Sequence, residues 1–198
     1  MAQQRSLADG GTLTYDPDFL PPREADALLQ ALLTRAPWKQ EKSAFGHSFP
    51  RLTAYYSDPG VAYRYSGVTH ESSAWPDYLL AVRERVEGVA GLPFNSLLLN
   101  CYRDGNDSIG FHADDEPELG DDPVVPSVSL GATRTFVLRH NRTRQRVTYD
   151  LTHGSLLLMG GTTQRHWRHA VPKTRGPVGL RVNLTFRNIH TDQPLARR

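Results

Sequence analysis

The stretch Arg181-Val182-Asn183-Leu184-Thr185-Phe186-Arg187 decides how this chain is read. Polar and apolar residues alternate without a break, the pattern of a β-strand with one face buried. Arg181, Asn183, Thr185 and Arg187 point one way, and Val182, Leu184 and Phe186 point the other, into a core. Two guanidiniums and an amide on such a strand call for an anionic partner, because unpaired buried charge is costly. A guanidinium presents a planar donor fork that matches a carboxylate or phosphate. The strand therefore suits a small, doubly charged acid. The alternative is a pair of structural Arg–carboxylate contacts.

Upstream, His112-Ala113-Asp114 sets an imidazole and a carboxylate two positions apart, so that both point the same way from an extended chain. This spacing alone is a weak signal. With His169 further along, it supplies two imidazoles and one carboxylate, the set that holds non-haem Fe(II) and leaves positions open for co-substrate and O2. Combined with the two-arginine strand, the pattern becomes specific. His153 and His166 are also present, so three imidazoles compete for the third place.

A length of 198 residues suits one domain with a real core. Hydrophobic content of 38% and a mean hydropathy of −0.50 fit a soluble globular protein. No apolar run is long enough to span a membrane. The start, Met1-Ala2-Gln3-Gln4-Arg5-Ser6, lacks an apolar signal-peptide core. Cys101 is the only cysteine, so no intrachain disulfide forms and a cytoplasmic location is expected. The net charge of +2 hides an asymmetry. Asp114, Asp115, Glu116, Glu118, Asp121 and Asp122 crowd one stretch, while the basic residues are nearly all Arg, the exceptions being Lys39, Lys42 and Lys173. A basic body around a local acidic site suits a protein that holds a polyanion and receives a cationic group. Ordinary surface charge is the bland alternative.

Along the chain, residues 1–11 read as a flexible polar end and Thr12–Tyr15 as a short strand. Pro21-Pro22 opens a helix over Arg23–Arg35, with Ala25, Leu28, Leu29, Leu32 and Leu33 at helical spacing. Trp75-Pro76 opens a second, to about Val89, with Leu79, Leu80, Val82, Val86 and Val89 on its inner face. Strands follow at Ser96–Arg103, Ser127–Leu130, Thr135–Arg139, Arg146–Leu151, Gly154–Met159 and Gly179–Arg187. Cys101 shares the core face of the first of these with Leu97 and Leu99. The expected fold is mainly β with flanking helices: a double-stranded β-helix, or jelly roll, with N-terminal helices buttressing one sheet. In one folded domain, 12–95 form an N-terminal extension, 96–190 the jelly-roll core and 191–198 a flexible tail.

Asn100-x-Tyr102, His112-x-Asp114, His169 and Arg181-x-Asn183-x-Thr185-x-Arg187, in that order, resemble the AlkB family of Fe(II)- and 2-oxoglutarate-dependent dioxygenases. Within it the chain is most similar to the branch that repairs alkylated duplex DNA, through Pro50-Arg51, Tyr63-Arg64-Tyr65-Ser66-Gly67, Asp115-Glu116 and Ser127-Val128-Ser129-Leu130-Gly131. The resemblance implies His112, Asp114 and His169 as iron ligands, since only His169 has the family's context, His169-Ala170-Val171-Pro172. It implies that Arg181 pairs the distal carboxylate of 2-oxoglutarate and that Arg187 lies near the chelating one. Asn100, Tyr102 and Asn183 would donate hydrogen bonds to the same molecule; Thr185 has the right facing and a weaker case.

The implied substrate is alkylated DNA, single- or double-stranded, whose target base is extruded into the pocket. The 12–95 extension would then carry nucleotide-recognition hairpins. Tyr65 and the ring of His112 would stack on the base, with Tyr63 beside them, while Asp115 and Glu116 would favour a cationic lesion. Phe45 is the candidate wedge on a hairpin shorter than that branch's, and Arg51 would contact the lesion strand or the flipped conformation. Arg142 and Arg144, in the Arg139–Arg146 run, suit phosphates of the strand opposite the lesion, with a solvated turn as the alternative. The reaction expected is demethylation of bases such as 1-methyladenine and 3-methylcytosine with O2, releasing formaldehyde, succinate and CO2, by a monomer with no membrane partner. The same chemistry on RNA, or a non-catalytic nucleic-acid-binding jelly roll, are the alternatives.

Overall fold

The computed structural model describes residues 2–42, 46–61, 63–65, 68–70 and 73–190, with the backbone alone at 63–65 and 68–70. In chain order the elements are β1 (Gln3–Ser6), β2 (Gly11–Asp16), α1 (Pro22–Arg35), β3 (Leu52–Ser57), β4 (Tyr63–Tyr65), β5 (Val68–His70), α2 (Asp77–Ala90), β6 (Ser96–Tyr102) and β7 (Ile109–His112). There follow β8 (Val125–Gly131), β9 (Arg134–His140), β10 (Arg146–Leu151), β11 (Ser155–Gly161), α3 (Thr163–His166), β12 (Trp167–Val171) and β13 (Arg181–Arg187). One sheet has the order β1-β2-β11-β8-β13-β6-β3, a second β10-β9-β12-β7, and β4-β5 form a separate hairpin. These strand pairings are antiparallel.

The jelly roll follows from which faces are apolar. Val182, Leu184 and Phe186 of β13 and Leu97, Leu99 and Cys101 of β6 form one buried cluster with Ala25, Leu28 and Leu32 of α1 and Leu79, Val82 and Val86 of α2. The helices thus cover one face of the seven-stranded sheet. The small sheet covers part of the other, where Tyr102, Phe136, Leu138, Leu157, Met159 and Trp167 meet. The sequence pattern foresaw both helices. Proline opens α1 within its first turn. Gly91 closes α2 with φ 68°, a left-handed cap that only glycine adopts freely.

Three expectations change. Leu80 and Val89 do not belong to the inner face of α2: they are 37% and 52% exposed. The strip of α2 that meets the sheet is narrower than its apolar content suggested. The loose N-terminal end holds β1, paired with β2 from Gln3↔Tyr15 to Ser6↔Thr12. Its side chains are all exposed, so no hydrophobic alternation marked it. β3 was also missed, because Thr53, Ala54, Tyr55, Tyr56 and Ser57 are buried on both faces and show no period of two. Residues 191–198, read as a tail, lie outside the described residues.

Candidate active site

β13 lies between β6 and β8, and register places Asn183 opposite both Asn100 and Ser129. The polar side chains of these three strands therefore line one cavity, roofed by the small sheet. Its walls include Asn100, Tyr102, His112, Asp114, His169 and Arg181, and it encloses about 430 Å³ including its open mouth. Register also pairs His112 of β7 with His169 of β12. Their rings stand edge to face with centroids 4.3 Å apart.

His112, Asp114 and His169 each bring one ligand atom within 4.8 Å of the others. His112 Nδ1 lies 2.9 Å from the Gly110 carbonyl, which can only accept. The proton therefore sits on Nδ1, and Nε2 keeps its lone pair. The His169 ring stacks on Phe136 at 5.2 Å. The Asp114 backbone N–H donates to Gln164 Oε1 at 3.0 Å, and its Oδ1 accepts from Arg187 Nη2 at 2.5 Å. Burial pushes the Asp114 carboxyl up, but Arg187, then His169 and His112, hold it at about 2. Burial, then His112, pulls His169 down to about 3. Burial likewise lowers His112. One carboxylate and two neutral imidazoles therefore converge, the protonation state a divalent ion needs.

Arg181 is 1% exposed. Its Nη2 donates to Ser129 Oγ at 2.8 Å. Among the described residues, Nε and Nη1 have no hydrogen-bond partner. Its guanidinium carbon lies 5.3 Å from the centroid of the Tyr102 ring, and that of Arg134 lies 5.5 Å from the same ring. Burial pulls Arg181 down to about 10, which leaves it charged at neutral pH. A buried cation with two unused donors fits a carboxylate arriving from outside.

The other expected residues divide. Asn183 is in the cavity wall, but Nδ2 donates to Ser127 Oγ at 2.7 Å and to the Val128 carbonyl at 3.2 Å, while Oδ1 accepts from Thr185 Oγ1 at 2.9 Å. Both of its amide hydrogens are thus engaged within the protein. Arg51 is 3% exposed and turns inward, its Nε donating to Asn100 Oδ1 at 2.6 Å. Asp115 is exposed and Glu116 half-buried. Arg142 and Arg144 are exposed in the β9–β10 hairpin, where Arg144 has φ 63°. Phe45 and the side chains of Tyr63 and Tyr65 lie outside the described residues. His153 Nδ1 caps the Gly131 N–H at 2.8 Å, and the His166 ring lies near that of His140, so neither joins the cluster. Sequence reasoning missed Gln164, Ser129 and Arg134. Ser129 was legible as the β8 counterpart of the polar row; nothing in the sequence flagged the other two.

A model of the 2OG-Fe(II) oxygenase superfamily matches residues 12–187. The chain belongs to that superfamily and, within it, to the AlkB family, whose members are dioxygenases dependent on Fe(II) and 2-oxoglutarate. Alpha-ketoglutarate-dependent dioxygenase alkB homolog 3 of Rattus norvegicus is 43% identical over 189 residues, covering 89% of this chain and 63% of its own length. DNA oxidative demethylase ALKBH2 of Homo sapiens is 44% identical over 151 residues, covering 72% of this chain and 58% of its own. The chain thus spans less than two thirds of either relative. The solved structure of OsALKBH1 superposes with a TM-score of 0.67 at 18% identity, covering 94% of this chain and all of that one, a likeness of fold. Fe(II) and 2-oxoglutarate are the cofactors of this family, and the residues present fit both: the His112–Asp114–His169 cluster as a metal site, and Arg181 as a carboxylate anchor. No helix among the described residues is long and apolar enough to cross a membrane.

Proposed function

We propose that this chain oxidatively demethylates N-alkylated bases such as 1-methyladenine and 3-methylcytosine in DNA. The observation that carries the reading is Arg181, buried with two unused donors, on the wall of the cavity that also holds the two-histidine, one-carboxylate cluster. His112, Asp114 and His169 hold the iron. Arg181 takes the distal carboxylate of 2-oxoglutarate, with Asn100 and Tyr102 on the same wall. Arg187 acts through Asp114, keeping its carboxylate charged and aimed. Asn183 and Thr185 brace the wall rather than donate to the co-substrate.

When bound, Fe(II) with 2-oxoglutarate and O2 supplies the oxidation that converts an N-methyl group to N-hydroxymethyl, with succinate and CO2 as co-products. The hydroxymethyl group of the cationic base then loses its hydroxyl proton and leaves as formaldehyde, and the ring nitrogen keeps the electrons of the broken N–C bond as the lone pair of the neutral base. The protein's share is position, dryness and charge. Asp115 and Glu116, following the ligand Asp114 in sequence, favour a base made cationic by methylation over its neutral parent. Arg142 and Arg144 offer phosphate contacts. Arg51 supports Asn100 from behind the wall instead of reaching the lesion strand. The name of one relative, DNA oxidative demethylase, supports DNA as the substrate, and that of the alkB homolog 3 relative names no nucleic acid.

The test is mass spectrometry of 1-methyladenine and 3-methylcytosine oligonucleotides, as single-stranded DNA, duplex DNA and RNA, with Fe(II) and 2-oxoglutarate. Methyl loss matched by succinate from DNA supports the reading. Loss from RNA alone moves the substrate class, and loss from none overturns it. Iron binding by His169→Ala and His166→Ala checks the ligand set separately: only the first should lose the metal.

A further inference from the structure

A second set of arginines lies on the small sheet, away from the cavity. Register sets Arg146 of β10 opposite Arg139 of β9, and Arg139 opposite Arg168 of β12. Partners in register share a face. The inward face of these strands is occupied by Val147, Leu138 and His169, all buried. The three arginines therefore stand together on the outer face, Arg146 and Arg168 exposed and Arg139 half-buried. The Arg139 guanidinium carbon lies 4.1 Å from the centroid of the Phe111 ring on β7. The row thus crosses all four strands and ends at the residue before His112.

Like charges directly opposite one another on adjacent strands are destabilising, and carboxylates ordinarily relieve them. None of these three arginines forms an ion pair among the described residues. The acids nearby are committed elsewhere. Asp150 accepts from Thr135 Oγ1 at 2.9 Å, and Asp9 contacts His140 at 3.0 Å and Arg142 at 3.4 Å. A fold that tolerates this repulsion in the absence of a ligand is matched to an external polyanion. Contact with the Phe111 ring restrains the central guanidinium, which lowers the entropy lost on binding.

We infer that this row is a backbone track: the outer face of the small sheet holds the phosphates of the nucleic-acid strand flanking the target base. The row is roughly 10 Å across, from two strand spacings, enough for a few nucleotides. The inference rests on the nucleic-acid reading above and adds to it the face along which the strand runs.

The test compares wild type with R139Q/R146Q/R168Q and with R5Q/R23Q/R35Q, a control carrying the same change in net charge on exposed positions. Fluorescence anisotropy with an unmodified 15-nucleotide single strand is read across a salt series. Turnover is read on a methylated trinucleotide, too short to occupy both pocket and row. The row variant should show a log–log salt slope shallower by about 1.4–2, as for two to three phosphate contacts at roughly 0.7 each. Its affinity should fall by about tenfold or more at low salt, with trinucleotide turnover unchanged and the thermal midpoint equal to or above that of wild type, as relief of like-charge repulsion requires, and the control should keep the wild-type slope. R146Q/R168Q repeats the measurement without touching the Phe111 contact. A row variant with the wild-type slope, or a control that flattens it equally, overturns the track and leaves the demethylase reading standing. A wild type that neither binds nor demethylates any oligonucleotide overturns both.

Discussion

The two faces of β13 are both buried and chemically opposite. On the helix side, Val182, Leu184 and Phe186 are 0% exposed and satisfied by contact alone. On the cavity side of the same strand, Arg181 and Arg187 are 1% and 3% exposed, and contact alone satisfies neither. Arg187 has Asp114 within the protein, whereas Arg181 retains two donors without partners among the described residues. Burial therefore means different things one residue apart. The apolar side stores folding energy, the Arg187 side spends folding energy to aim a carboxylate, and the Arg181 side waits for a ligand.

The largest effect that would break this comparison is expected at Arg187. Arg187→Met leaves the Asp114 carboxylate buried without its cationic partner, and breaking one member of such a pair costs about 3–5 kcal/mol. Urea denaturation of the metal-free protein is the check. A loss below about 1 kcal/mol would mean that the pair is not the main support of Asp114. On the other face, Leu184→Ala should cost about 2–5 kcal/mol in the same assay, through lost transfer energy and the cavity left behind. Iron and 2-oxoglutarate should not rescue Leu184→Ala selectively, because that side chain has no part in holding either.

How much of this was legible in sequence follows from where each signal lives. The alternation at 181–187 was readable because side-chain facing in a strand is local. The metal set was half readable: His112 and Asp114 are neighbours, while His169 joins only through the pairing of β12 with β7, and family context selected it. Arg51 was assigned to the substrate through the resemblance at Pro50-Arg51; its hydrogen bond to Asn100, on another strand, is visible only in three dimensions. Gln164 carries no pattern at all, since one amide supporting one backbone N–H needs no second residue nearby in sequence. Asn183 was given to the co-substrate by the resemblance; that its two amide hydrogens go to Ser127 Oγ and the Val128 carbonyl on the adjacent strand is visible only in three dimensions.

Arg181 sharpens the comparison by separating stability from binding. Arg181→Met should be close to neutral for the ligand-free protein, because an apolar replacement relieves the cost of an unsatisfied buried cation. The same change should weaken 2-oxoglutarate binding roughly 10–150-fold, as for a lost hydrogen bond to a charged group at about 1.5–3 kcal/mol. Wild type should gain about 2.7 kcal/mol of stability at a co-substrate concentration a hundred times its Kd, and the variant only about 0.3–1.4 kcal/mol at that concentration. Calorimetric titration with thermal unfolding in parallel measures both. An Arg181→Met variant that is strongly destabilised yet binds 2-oxoglutarate normally would make Arg181 a structural residue.

The smallest effect concerns Cys101, one position from Asn100 and from Tyr102 but on the helix face. Burial, then the neighbouring Asp107, raises its thiol to about 11. The reactive species is the thiolate, so at pH 8 the thiol is protonated as well as shielded. Folded protein should resist a thiol-specific reagent over the time in which urea-unfolded protein labels fully, with one equivalent as the ceiling because the chain has a single cysteine. Lowering stability by Leu184→Ala should speed labelling in proportion to the unfolded population if modification proceeds through global opening. Arg181→Met should leave the rate unchanged, since it alters the cavity face alone. Fast labelling of native wild type would show that the helix layer does not seal this face, and the contrast between a closed apolar side and a ligand-ready polar side would have to be redrawn.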